Sequence, residues 1–481
     1  LFENQYNGTI PLGLLRTVVP AAPDAWITVL KNYGTMSFGE VASSAIKYAR
    51  EGITVHPTMA KFLSRYQENY RMWPSNSNIW QKNGHPLEVG DLLIQTDLAA
   101  TIQFMADQEA AAIKGGREKG LRAARDAFYV GDIASKIVKY HKENGGLLTA
   151  DDMASYRTPI EKPLSISFRG TEVYSCRPWC QGPVLLQMLN ILNDIDLNAM
   201  GHNSTDYIHY LAETIKLSFA DRERYYGDPN FIEVPIEKLL SSEFAKQRQE
   251  QINPQRAWPE MPPAGEIEGF GGISFRSDIN SDASFSEPDT SYTCTMDKQG
   301  NVCSITPSDV SFESPVIPDL GFCPSARGSQ SFATRGHASE IAPGKRPRLT
   351  PNPAMALRRD QFVMPFGAPG GDTQPQGMLQ VILNHLVFGM DIQSSIEAPR
   401  FSTYSQPNSF EPHESKPGRL AIEEDINHEI GEALSDLGHD VEWLTSRSDA
   451  VAGVCAISAN LKTKTITGGA DPRRSGRAMG W

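Results

Sequence analysis

The chain has 481 residues, 40% of them hydrophobic and 21% charged, enough to bury a sizeable core. Lys and Arg number 45 against 57 Asp and Glu, a net charge of −12, which argues against a nucleic-acid partner because phosphate binding needs clustered positive charge. Gly and Pro together make about 15% of the chain without a period, which excludes collagen-like and low-complexity architectures. No apolar run reaches the roughly 18 residues of a membrane-spanning helix, and no basic leader with an apolar stretch follows Leu1. A soluble protein without membrane contact is expected, its compartment open. By length, about three domains or one large α/β unit are equally admissible. The six cysteines are too few for a disulfide scaffold. The pair Cys176 and Cys180 lacks the second pair or nearby histidine of a zinc site.

In chain order, the first half reads as helix-rich. Thr149, after Asn144-Gly145-Gly146-Leu147-Leu148, offers an N-cap for a helix through Asp152–Tyr156. Between Thr205 and Arg224 the apolar residues Ile208, Leu211, Ala212, Ile215 and Phe219 recur at helical steps, capped by Ser204 or Thr205. His209, beside that apolar face, reads as a packed histidine rather than a ligand. From Asn253 to Asp289 the composition turns rich in Ser, Asp, Gly and Pro, the signature of an exposed, mobile connector. A hairpin follows, with Tyr292, Cys294 and Met296 alternating with threonines, a turn at Asp297–Asn301 and a second strand over Val302–Thr306. Further on, Met378–Phe388 and Ile422–Leu437 read as helices, and Val451–Ile466 as two strands. Strands in hairpins mixed with helices point to sheets layered under helices.

Several familiar chemistries fail on spacing. His428-Glu429-Ile430-Gly431-Glu432 lacks the second histidine of a zinc helix. No GxSxG elbow and no GxxxxGK[ST] loop occurs. No metal site and no cofactor is expected. What remains is a set of three segments: Asp289-Thr290-Ser291-Tyr292-Thr293, Gly367-Ala368-Pro369-Gly370-Gly371-Asp372, and Gly468-Gly469-Ala470-Asp471-Pro472-Arg473-Arg474.

In this order and spacing they resemble the γ-glutamyltransferase family of N-terminal-nucleophile hydrolases. Further marks over nearly the whole chain are Phe168-Arg169-Gly170, Ala220-Asp221-Arg222 through Gly227-Asp228-Pro229, Lys345-Arg346-Pro347 and Glu397-Ala398-Pro399-Arg400-Phe401. The resemblance implies an α/β fold, the αββα sandwich of two stacked, largely antiparallel sheets between helical layers. It implies self-cleavage between Asp289 and Thr290 into a large portion, 1–289, and a small catalytic portion, 290–481. The two would stay associated as a heterodimer within one domain, further dimerisation being open. Thr290 would be the nucleophile and its freed α-amine the general base, since an α-amine titrates at about 7.7–8.0 and needs no histidine. Ser308, 18 positions on, matches the family's threonine that hydrogen-bonds the nucleophile, and Gly370 and Gly371 match its oxyanion-hole pair.

The match departs where the donor is recognised. In place of the acidic pair that grips a γ-glutamyl α-amine stands Ala326-Arg327-Gly328-Ser329-Gln330-Ser331-Phe332, and Leu349-Thr350 replaces a serine pair. Asp372-Thr373 replaces the serine after the glycines. These features are similar to the oxamate amidohydrolase-like branch. Arg327, Thr350 and Asp372 are therefore the candidate substrate contacts, with Arg327 placed to pair a substrate carboxylate. The family segment of roughly eighty to a hundred residues that precedes the region of Arg16-Thr17-Val18 is absent from these residues, so no carboxylate-binding arginine transfers from it. The expected partner is a small amide, hydrolysed through an acyl-enzyme. A γ-glutamyl hydrolase with an altered donor site and an unprocessed, non-enzymatic relative are the competing readings.

Overall fold

The computed structural model describes residues 1–274 and 290–481. They form two compact units: a sheet unit of Leu1–Thr9, Glu161–Ser308 and Gln330–Trp481, and a helical unit of Ile10–Ile160 and Asp309–Ser329. Asp289, on the amino side of the expected cleavage, lies outside the described residues.

The sheet unit is organised around six antiparallel strands. In chain order they are β1 (Leu164–Phe168), β2 (Thr171–Ser175), β5 (Ala354–Arg358), β6 (Phe362–Gly367), β10 (Cys455–Asn460) and β11 (Thr465–Ala470). Their order across the sheet is β11-β10-β6-β5-β2-β1. Between β2 and β5 in sequence comes the hairpin β3 (Thr293–Met296) and β4 (Val302–Ile305), as expected. It packs against the large sheet: Ser304 Oγ donates to the Ala354 carbonyl at 3.0 Å, and the Tyr292 ring lies on Gly367, where a Cβ would come within 2.3 Å of it.

Helices α1 (Gly182–Leu192), α2 (Thr205–Tyr225) and α3 (Gln374–Leu386) supply the rest of the core. Val184, Leu185, Leu189, Ile215, Phe219, Met378 and Ile382 are fully buried in one cluster with Phe366 and Met364 of β6. The Thr205–Arg224 expectation holds, and Ser204 Oγ caps α2 by accepting from the Tyr207 amide at 3.2 Å. The helix expected over Ile422–Leu437 is instead strand β8 (Arg419–Glu423) followed by helix α4 (His428–Asp436). β8 pairs antiparallel with β7 (Phe401–Thr403) and parallel with β9 (Asp440–Leu444). All five residues of β8 are buried, so the strand shows none of the alternation that marks a half-exposed one.

The described part of the connector expected over 253–289 is irregular and mostly exposed, but it is anchored at intervals. Ala257, Met261, Ala264 and Ile267 are buried. The irregular backbone is satisfied by side chains: Gly265 donates to Asp221 Oδ1 at 2.7 Å, and the Trp258 and Pro263 carbonyls accept from Lys216 and Arg248 at 2.8 and 3.1 Å. A buried loop needs such partners for every polar group.

The helical unit has its own cores. Ile46, Met105, Leu121, Phe128 and Ile137 pack together with Ile317 and Leu320 of the 309–329 segment. The helix Ala150–Ser155 carries the expected cap, Thr149 and Asp152 forming a reciprocal box. Among the described residues no helix is long and apolar enough to cross a membrane.

Candidate active site

Thr290 stands where the hairpin register runs out beyond β3, opposite Ser308 in an antiparallel bridge. The register that pairs Thr293 with Ile305 also pairs Thr290 with Ser308, which explains the spacing of 18 residues between them. Thr290 Oγ1 and Ser308 Oγ are 2.7 Å apart, and Thr290 is 6% exposed. The Ser291 amide adds a bond to the Pro307 carbonyl at 3.0 Å. Tyr292, which sequence reasoning used only as a strand residue, anchors this end through its hydroxyl, 2.8 Å from Ser304 Oγ, and its ring on Gly367. Burial holds the Tyr292 phenol well above its ordinary pKa, so it stays neutral.

Three residues beyond Gly367 the chain reaches Gly370 and Gly371, with φ of 129° and 52°. These are left-handed values that favour glycine, and a Cβ on Gly370 would lie 2.8 Å from Thr373 Oγ1. The carbonyls of this turn are all engaged. Pro369 O accepts from the Gly453 amide at 3.3 Å, Gly370 O from Thr373 N and Oγ1 at 2.9 and 2.7 Å, and Gly371 O from Gln181 Nε2 at 2.8 Å.

Of the two remaining candidates in this unit, Asp372 lies in the turn and Thr350 reaches it through Gln181. Asp372 is expected at substrate, yet both its oxygens are spent within the protein: Oδ1 on Arg222 Nη1 at 2.5 Å and Ser409 Oγ at 2.6 Å, Oδ2 on the Ser409 amide at 2.7 Å. Arg222, fully buried on α2, also bonds Glu223 and, at 3.2 Å, Gln181 Oε1. Burial pushes the Glu223 carboxyl up, but Arg348 and Arg222 more than offset this and hold it well below the usual range. Thr350 is fully buried; its hydroxyl accepts from Gln330 at 3.2 Å and its carbonyl from Gln181 at 2.7 Å. Gln181, not singled out by sequence, thus joins Thr350, Gly371 and Arg222.

Arg327 belongs to the helical unit and is buried there. Its charge is answered by internal carboxylates. Burial raises the Asp309 carboxyl while Arg327 pulls it down, and Glu313, also raised by burial, feels both Arg16, its ion-pair partner at 3.1 Å, and Arg327.

Among the described residues one group has metal-ligand types in reach: His209, Glu213 and His439, all buried. Glu213 is already neutralised by Lys216 Nζ at 2.8 Å and bonded by the Trp258 amide at 3.1 Å, and His209 links His439 to the Asn253 carbonyl.

Ion pairs tie the remaining motifs into the fold: Asp228 with the half-buried Arg346 at 2.8 Å, and among buried groups Arg400 with Asp471 and Arg473 with Glu423 at 2.5 Å. The Arg400–Asp471 pair joins two motifs that lie far apart in sequence. A family model described as Gamma-glutamyltranspeptidase matches residues 2–481. The chain belongs to this family. It is an N-terminal-nucleophile hydrolase, an enzyme of the amidohydrolase and acylase type with the αββα fold. The glutathione hydrolase proenzyme of Bacillus subtilis (strain 168) is 30% identical over 467 residues, 96% of this chain and 74% of that protein. The acylase ACY 1 proenzyme of Pseudomonas sp. (strain SE83) is 30% identical over 97% of this chain and 75% of its own length. The crystal structure of cephalosporin acylase from Bacillus halodurans superposes with a TM-score of 0.83 at 27% identity, covering 100% of this chain and 81% of that one.

Proposed function

We propose that this chain is an autoprocessed amidohydrolase whose nucleophile is Thr290 and whose substrate is a small amide without a γ-glutamyl α-ammonium group. The observation that carries the reading is the buried 2.7 Å contact of the Thr290 and Ser308 hydroxyls at the open end of a hairpin. Cleavage before Thr290 would free an α-amine on the same residue. That amine takes the hydroxyl proton as Thr290 Oγ1 attacks the amide carbonyl. The Gly370 and Gly371 amides would face the resulting oxyanion. The leaving amine takes the proton, and water then hydrolyses the Thr290 ester. Ser308 orients the attacking oxygen.

Cleavage need not separate the fragments. β2 precedes the cut and pairs with β5, which follows it, with Glu172 opposite Leu357. The substrate class is supported by what replaces the acidic pair: Ser329, Gln330 and Ser331 carry no charge for an α-ammonium. A charge-assisted contact of that kind is worth about 1.5–3 kcal/mol, or roughly 10- to 150-fold in affinity. Acylase-named relatives favour the same class. A γ-glutamyl hydrolase is the second reading, favoured by the relative named a glutathione hydrolase.

Intact mass and N-terminal sequencing of purified protein test the cleavage. The expected small fragment begins Thr-Ser-Tyr-Thr, and an active chain that stays uncut would rule out the mechanism. A panel of γ-glutamyl-p-nitroanilide, glutathione, oxamate and simple acyl amides tests the class. Glutathione turnover equal to the best amide would transfer the choice to the second reading.

A further inference from the structure

The turn that carries Gly370 and Gly371 has little stiffness of its own, because both residues sit at positive φ where glycine is free to move. Its amides can face an oxyanion reproducibly only if the peptide planes are fixed from the carbonyl side. In a planar trans peptide the Gly371 N–H points opposite to the Gly370 carbonyl, so whatever holds that carbonyl aims the amide. The Gly370 carbonyl is held twice by one residue, through Thr373 N at 2.9 Å and Thr373 Oγ1 at 2.7 Å. Thr373 is 2% exposed and stands at the N-cap of α3, yet its hydroxyl caps no helix amide. Its backbone is already helical, with φ of −83° and ψ of −10°, so the hydroxyl bonds back to the carbonyl three residues earlier, which is that of Gly370.

We infer that Thr373 is a positioning residue for the oxyanion site, its hydroxyl setting the aim of the Gly371 amide. This rests on the reading of Gly370 and Gly371 as the oxyanion-binding turn. Accepting a second hydrogen bond also polarises the Gly370–Gly371 peptide and makes its N–H a stronger donor. The sequence already departs from the family serine at Asp372, and the pair Asp372-Thr373 replaces one anchoring device by two. The Asp372 carboxylate ties the turn outward to Arg222 and Ser409, while the Thr373 hydroxyl ties it inward to its own carbonyl.

The test is Thr373→Val in the processed full chain, which keeps the branched shape and leaves the Gly370 carbonyl bonded to the residue 373 amide. The expected result is an unchanged melting temperature within a few degrees and kcat on the best amide lower by about tenfold or more. KM should stay within about twofold, and Thr373→Ser should restore kcat. Should the valine variant not accumulate, Thr373→Ala is read in the same way. Wild-type kcat in either hydroxyl-free variant, a loss confined to KM, or a loss that serine fails to restore would each overturn the inference. Gly370→Ala separates the two levels. If that variant keeps full kcat, the oxyanion reading itself fails; if it is inactive while Thr373→Val is fully active, only the role of Thr373 fails.

Discussion

Around Thr290 the described polar contacts run hydroxyl to hydroxyl and backbone to backbone: Ser308 on Thr290, Tyr292 on Ser304, Ser291 on Pro307. Around Gly370 and Gly371 they end on buried charge: Asp372 on Arg222, Arg222 on Glu223, Glu223 on Arg348. On the proposed function, the contrast follows from what each side would do. A nucleophile that carries its own amine base works best in neutral surroundings, since a nearby cation would lower the amine's affinity for the proton it must accept. A glycine turn has no side chains with which to hold itself and borrows rigidity from the longest-range interactions available.

Thr290→Ala attacks the neutral side at its centre and should give the largest effect. The chain should remain uncut and amidase activity should fall by on the order of 10^6-fold, the scale seen when a hydrolase loses its nucleophile. Thr290→Ser should process slowly and keep part of the activity. Equal activity of Thr290→Ala and wild type in a chromogenic amide assay would remove the basis of the comparison.

Asp372→Asn attacks the charged side. Breaking one partner of a buried pair leaves the other uncompensated, at a cost of about 3–5 kcal/mol. Arg222 is fully buried and keeps Glu223, so the low end of that range is expected. Urea unfolding should register the loss, with kcat falling as the turn loosens. A stability within 1 kcal/mol of wild type, the scale of an exposed ion pair, would mean that Asp372 is solvated and available for other duties.

The same contrast explains what the sequence made legible. The hairpin could be read because strand alternation and a turn are local; Ser308 came from the family resemblance, and the hairpin register shows why it stands opposite Thr290. Helix α2 could be read from its apolar period and its Ser204 cap. Its charged residues could not. Asp221, Arg222 and Glu223 look like a solvated helix face, and only the tertiary structure shows all three buried, with Arg222 meeting a carboxylate 150 positions away. Arg327 shows the converse: a lone arginine near a recognition motif suggests a ligand contact, while Asp309 and Glu313, which feel its charge in the fold, stand 18 and 14 residues earlier. The loop over 253–274 lacked any period, and its anchoring at a few buried residues rests on side-chain partners from α2 and from Arg248, a pattern that composition cannot reveal.

Ser308→Ala sharpens the neutral side. Removing one neutral hydrogen bond is worth about 0.5–1.5 kcal/mol, so kcat should fall by up to roughly tenfold with KM little changed, and Ser308→Thr should be close to wild type. A loss of more than about a hundredfold would assign Ser308 a proton-transfer role beyond orientation.

The smallest effect concerns pH and belongs to the charged side. His413 is buried against Phe332, with its ring nitrogens 2.9 and 3.1 Å from the carbonyls of Asn408 and Ser331. Glu411 at 3.5 Å, and Glu223 and His337 further off, are the charged and titratable groups around it. Burial dominates and moves its pKa from the ordinary 6.5 down to about 4. Between those values the unfolded chain binds a proton that the folded one refuses, so stability falls as pH drops from about 6.5 to about 4 and is fully present above that window. His413 also sits at a φ of 61°, a left-handed value that asparagine tolerates. His413→Asn should therefore lower the plateau through the lost ring stacking but make the acid limb shallower by close to one proton. Denaturant midpoints measured from pH 7.5 to 4 read the slope separately from the plateau. An unchanged slope would place the acid sensitivity on other groups, such as His337, and leave the charged side of the site with a different titrating element from the one its geometry offers.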